Sequence, residues 1–68
     1  LIELPKKGLL RVDEVAEFFS VNPVTVYRWI SDGLITAEKY RKIIRVHRES
    51  VIAFRKNSII DPEEKFAM

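Results

Sequence analysis

At 68 residues the chain has room for one domain, near the lower size limit for a self-supporting apolar core. It has no cysteine and a single histidine, His47, which excludes a disulfide framework and a thiolate metal site. The net charge of +2 hides an uneven spread: residues 1–27 hold three basic and four acidic groups, residues 28–56 eight and three, and residues 57–68 one and three.

Such a local concentration of positive charge is the footprint of a polyanion partner, although charge alone also describes a solvated surface. No apolar run approaches the roughly 20 residues needed to span a bilayer, and no basic stretch precedes an apolar one as in a secretory signal. The expectation is a cytoplasmic protein with no membrane partner. The chain opens on Leu1 rather than Met, so a trimmed fragment of a longer parent is expected.

Residues 1–8 read as a lead-in broken by Pro5 and Gly8, with Leu9 and Leu10 following as an initial turn or short strand. A first helix is predicted over Val12–Ser20. Val12, Val15, Ala16 and Phe19 recur at i, i+3, i+4 and i+7, and Asp13 and Glu14 suit the exposed N–H groups of the first turn. Asn22-Pro23 then encodes an N-cap with proline at the first helical position, where its missing N–H costs nothing. The second helix is predicted over Pro23–Asp32, with Val26, Trp29 and Ile30 inward and Gly33 as left-handed terminator. Only Val21 and Asn22 separate the two helices in this reading, so they must cross, as in a helix-turn-helix.

The helical period is lost over 34–46. Leu34–Ala37 and Ile43–Val46 are rich in strand formers, with polar Glu38–Lys42 between them. This predicts a β-hairpin, or wing. Its tip lacks glycine and asparagine, so a two-residue primed turn is poorly encoded and a wider loop fits equally well. A third helix is predicted over Arg48–Asn57, with Val51 and Phe54 inward and Ile52 as a further inward candidate. Beyond it, Asp61-Pro62-Glu63-Glu64 is a helix-start signal in a tail of residues 58–68, read as frayed or as the beginning of a further helix. The expected fold is therefore mainly α with a small β-hairpin: three helices and a two-stranded wing, in one domain over 9–57.

On a helical wheel at about 100° per residue, Val24, Arg28 and Ser31 point away from the core face of the second helix. Thr25 and Tyr27 flank them. Arginine can bond guanine twice, hydroxyls can bond bases or phosphates, and an aliphatic can touch a thymine methyl. Asn22 stands where unpaired N–H groups meet phosphate. Each residue also has a plainer reading. Arg28 could pair with Asp32 at i+4, Thr25 could support the helix start, and Tyr27 could be a boundary packing residue. Val24 could be an ordinary exposed aliphatic. Trp29 falls on the apolar face and reads as a core anchor. In the wing, Lys39, Arg41, Lys42 and Arg45 are candidate phosphate or minor-groove contacts; the plainer reading is protection of a sheet edge. His47 has no evident partner and reads as a capping or surface residue. Gly8 and Gly33 cannot form a phosphate-binding glycine loop, and no nucleophile, base and orienting acid stand out. No enzyme activity, metal or cofactor is expected.

These features together resemble the excisionase-type helix-turn-helix domain, a relative of the DNA-binding domain of MerR regulators. The resemblance runs over Leu9–Phe54. It rests on Thr25-Val26-Tyr27-Arg28-Trp29-Ile30 in the second helix, Val15-Ala16-Glu17 in the first, Gly33 at its fixed distance and Arg45 before the last helix. The small Ala16 and the apolar Val15, Phe19, Val21, Val26 and Trp29 agree with it. It implies a winged domain of bacterial or phage origin that binds double-stranded DNA, as a recombination directionality factor or a transcription regulator. Thr25 and Arg28 would be major-groove contacts and Arg41, Lys42 and Arg45 wing contacts. Further copies of the chain, an integrase or another domain would be neighbours. The rival class is a winged-helix protein–protein interaction module without direct DNA binding. The chain departs from the family pattern at Arg11, where threonine or serine is usual, at Pro23-Val24, where residues are commonly basic, and at Ser20 and Arg41-Lys42, where glycine is frequent.

Overall fold

The computed structural model of the chain describes residues 3–60. Its elements follow in the order β1 (Leu9–Leu10), α1 (Val12–Phe19), α2 (Pro23–Ser31), β2 (Ala37–Tyr40), β3 (Ile43–His47) and α3 (Arg48–Asn57). The predicted helices are all present, α3 with the predicted bounds and α1 and α2 each one residue shorter. The sequence Asp61–Glu64, expected to start or fray a helix, lies outside the described residues.

α1 begins without a side-chain cap, because arginine has no acceptor to offer at Arg11. Its start is held from the other direction, by the Glu14 carboxylate accepting the Arg11 backbone N–H at 2.8 Å. The helix ends on Ser20 in the left-handed region, at φ 57°. There Val21 N–H donates to Ala16 C=O at 2.9 Å and Ser20 N–H to Glu17 C=O at 3.1 Å, a Schellman pair that usually carries glycine. Ser20 thus joins Val21 and Asn22 in the inter-helix turn, which has three residues rather than the expected two. The Asn22 side chain accepts the Val24 N–H at 2.9 Å and Pro23 opens α2. A second Schellman pair closes α2, from Leu34 N–H to Trp29 C=O at 2.9 Å and from Gly33 N–H to Ile30 C=O at 3.1 Å. Gly33 lies at φ 78°; a Cβ there would meet nothing, so its requirement for glycine is one of backbone conformation.

The wing differs from expectation in register. Leu34 completes the α2 cap and Ile35 inserts into the core with 2% exposure, so the strand starts only at Ala37. The polar residues 38–40, expected in a wide tip, continue that strand. Tyr40 pairs with Ile43, which leaves Arg41-Lys42 as a two-residue turn with Arg41 at φ 59°. Pairing three more residues across the hairpin outweighs one strained φ, the cost that made the tight turn look poorly encoded. β1 adds a third strand against β3, with Leu10 opposite Val46, so the two-stranded wing is part of an antiparallel sheet ordered β1-β3-β2.

The core joins Leu10, Val12, Val15, Ala16, Val26, Ile35, Val46 and Val51. Beside it, one ring from each helix meets the others: Phe19 and Trp29 at 5.3 Å between centroids, Trp29 and Phe54 at 4.9 Å, Phe19 and Phe54 at 5.9 Å. Trp29 is half-buried and packs as the expected anchor. Ser50 ties the wing to α3, its Oγ accepting the Thr36 N–H at 3.1 Å and donating to His47 C=O at 2.8 Å.

Ser20→Gly is expected to stabilise the domain by about 0.5–1 kcal/mol, the left-handed strain of a non-glycine residue less the chain entropy that glycine adds. Urea unfolding checks this; a destabilised variant would show that the Ser20 side chain contributes more than its strain costs.

Candidate nucleic-acid interface

The outer face of α2 is open. Val24 is 62% exposed and Tyr27 47%, Arg28 and Ser31 are exposed, and Thr25 is half-buried. Val26 is fully buried on the opposite side, so the wheel derived from spacing holds. Arg28 makes no ion pair with Asp32 or with any other described residue. Asn22 has its side-chain oxygen committed to the cap, leaving its amide N–H groups for any further contact.

Strand alternation sorts the wing. Ala37, Lys39, Ile44 and Val46 share the face that turns toward the core, and Glu38, Tyr40, Ile43, Arg45 and His47 share the other. Lys39, Arg41 and Lys42 are exposed and without ion pairs among the described residues. Glu38 is occupied on its own face: His47 Nε2 lies 2.6 Å from its carboxylate and the Tyr40 hydroxyl donates to it. His47 therefore has the partner that the sequence did not reveal, and it starts α3 without a side-chain cap.

Arg45 lies directly opposite Glu38 but turns elsewhere. His47 N–H bonds Thr36 C=O, so odd-numbered residues of β3 face β2 and the Ile44 carbonyl faces the other edge. There β1 has already ended at Leu10, and the Arg45 guanidinium supplies the missing donor at 3.0 Å. That places Arg45 at an open cleft of about 350 Å³ between the wing and the two crossed helices, lined also by Arg11, Pro23, Tyr27, Lys42 and Ile44.

The structure thus brings three of the predicted residues, Tyr27, Lys42 and Arg45, to one cleft, with Val24, Arg28 and Ser31 on the free face of the same helix. Two of the three basic residues of α3 have other occupations. Arg48 donates from Nε to Pro5 C=O at 2.8 Å, and Arg55 lies over the Phe18 ring at 5.9 Å. Arg11 is the residue that sequence reasoning missed. Its only signal was an arginine where a helix N-cap needs an acceptor.

The start of α1, which carries Arg11, is an electrostatic assembly. Lys7 Nζ lies 3.1 Å from Glu14, and Arg11 is paired with Asp13 at 3.2 Å. The Arg11 backbone N–H holds the Glu14 carboxyl below its ordinary range; partial burial opposes this, and Lys7 lowers it further. Among the described residues, no cluster of His, Cys, Asp and Glu is placed to hold a metal, and no helix is long and apolar enough to cross a membrane.

Two crossed helices joined by a three-residue turn, followed by a hairpin beside the second helix, define a winged helix-turn-helix. A family model described as a helix-turn-helix domain matches residues 9–58. The chain belongs to that family, which is of the excisionase type, and the resemblance read from Leu9–Phe54 holds. No curated protein matches the chain. Membership of this family suggests DNA binding.

Glu14 makes stability depend on acid pH. Its folded-state pKa lies below the unfolded one, so the unfolded chain binds more protons and stability rises with pH. The contribution is complete above the unfolded value and is lost as pH falls through the lowered folded value. Glu14→Gln is expected to flatten the decline in thermal midpoint between about pH 6 and pH 2; identical pH slopes in the two proteins would exclude the Arg11 N–H contact as its source.

Proposed function

We propose that the chain binds double-stranded DNA with α2 lying in the major groove and the wing against the flanking backbone. Val24, Thr25, Arg28 and Ser31 read base edges; Asn22, Tyr27, Lys39, Arg41, Lys42 and Arg45 engage phosphates. The observation that carries this is Arg28: an exposed arginine with no intramolecular ion pair among the described residues, beside a hydroxyl and an aliphatic, on a helix whose other face is locked in the core. Guanine is its natural partner.

One such module offers few base contacts, so specific binding draws on repetition along the DNA or on a second protein. Its role is that of a recombination directionality factor or a transcription regulator, with further copies of the chain, an integrase or another domain alongside. Both roles need an accessory DNA-binding surface rather than a catalytic centre, and both place the chain, of bacterial or phage origin, in a bacterial cytoplasm.

Fluorescence anisotropy on a selected duplex and on random duplexes tests this. Arg28→Ala is expected to cost about 1–3 kcal/mol on the selected duplex and little on random sequence. Arg41→Ala is expected to weaken both alike and to reduce the salt slope by about one. Selected binding untouched by Arg28→Ala would falsify the readout role. Salt-insensitive capture of a protein through Tyr27 and Val24, without DNA binding, would instead establish the interaction-module reading.

A further inference from the structure

We infer that the cleft between α1, α2 and the wing is a seat for a single backbone phosphate, in which Arg11 supplies one of three cations and Asp13 competes with the phosphate for it. The inference rests on the DNA-binding reading and adds to it a residue outside the recognition helix and wing.

The geometry is specific to this cleft. Arg11 comes from the start of α1, Lys42 from the wing turn, Arg45 from β3 and Tyr27 from α2, with Pro23 and Ile44 among the apolar lining. Two regions distant in sequence, the start of α1 and the wing, therefore bring three basic residues to one concavity. Arg45 is held there by the Ile44 carbonyl at 3.0 Å, and that single bond leaves its other guanidinium N–H groups for a ligand. The Arg11 backbone is fixed by its N–H bond to Glu14, so only its side chain has freedom.

Among the described residues, the one acidic side chain lining the cleft is Asp13. It takes Arg11 Nε at 3.3 Å and the terminal guanidinium nitrogen at 3.2 Å, both at the long end for charge-assisted bonds. Both side chains are exposed, so water and salt screen the pair and it is easily exchanged. A phosphate oxygen can replace the carboxylate with the same fork geometry, and it gains Lys42 and Arg45 as further partners. Asp13 then stands as a counter-charge that weakens binding at every DNA sequence. It neutralises Arg11 when no duplex is bound.

With the contact's contribution taken as zero at about 1 M salt, the counterion relation sizes the effect: a salt exponent of about 0.9 per phosphate contact gives about eightfold in affinity at 0.1 M salt and about fourfold at 0.2 M. Binding of the whole chain to random duplex DNA is measured at these two salt concentrations for wild type, Arg11→Ala, Arg11→Gln, Asp13→Asn and Lys42→Ala, with circular dichroism melts of each. Both Arg11 variants are expected to bind about eightfold more weakly at the lower salt, with a shallower salt slope. Asp13→Asn is expected to bind more tightly, a gain that a damaged fold cannot imitate, and to lose most of that gain when combined with Arg11→Ala. Arg11 variants and Asp13→Asn that bind like wild type, while Lys42→Ala still weakens binding, overturn the seat and leave the DNA reading intact. Absence of salt-dependent DNA binding by the wild type overturns both.

Discussion

The contact on which the arrangement depends is the meeting of Phe19, Trp29 and Phe54, one ring from each helix, with all three centroid separations between 4.9 and 5.9 Å. In a domain this small, with no cross-link, the three rings extend an aliphatic core that is fully buried at Leu10, Val15, Val26, Ile35, Val46 and Val51. The wedge also sets orientation. Because Trp29 is clamped between α1 and α3, and Val26 one turn earlier is fully buried, α2 cannot roll, and the Val24–Arg28–Ser31 side faces outward. Reading a groove needs a helix that does not rotate when its arginine is pulled. The packing that folds the chain is the same packing that aims Arg28.

Around this wedge the chain accepts local strain at two non-glycine residues, Ser20 at φ 57° and Arg41 at φ 59°. Each costs on the order of 1–2 kcal/mol and persists because the surroundings over-determine it. At Ser20 the constraint is the helix crossing, since the two carbonyls at the end of α1 are satisfied only if the next residue turns left-handed. At Arg41 it is hairpin pairing from Ala37 to Tyr40 against Ile43 to Val46. The Arg41 strain places a cation at the turn where glycine would sit more easily.

This division explains what the sequence made legible. The helices could be read because capping and periodicity are local: Asn22-Pro23, Gly33 and the apolar spacing of α1 and α2 place them within a residue, and the face of α2 followed from Val26, Trp29 and Ile30. The wing could be read only as a hairpin. Its register depends on Ile35 entering the core and on Ser50 of α3 engaging Thr36, neither of which leaves a mark in residues 34–42. The pairing of β1 with β3 is equally non-local. Glu38 and His47, nine positions apart, meet only through that register. Arg11 read as a poor helix cap, because its role depends on which loop ends up across from it.

The same non-locality corrects the electrostatic reading. Counting charges along residues 28–56 credits α3 with three cations toward a polyanion. None of the three, Lys56 included, lines the cleft beside α2; in space Arg48 holds the lead-in at Pro5 and Arg55 covers Phe18. Their work is structural: Arg48 fastens the segment that becomes β1, and β1 completes the sheet from which Lys42 and Arg45 project. Arg11, from the acidic first third of the chain, stands beside those wing cations instead. The basic residues that line the cleft are thus fewer than the sequence count and stand between helix and wing, beside the face that the proposed reading turns to DNA. On the proposed DNA-binding reading, cations so placed favour one docking register over sliding ones, and that geometric restriction, more than a net charge of +2, would hold a duplex in place.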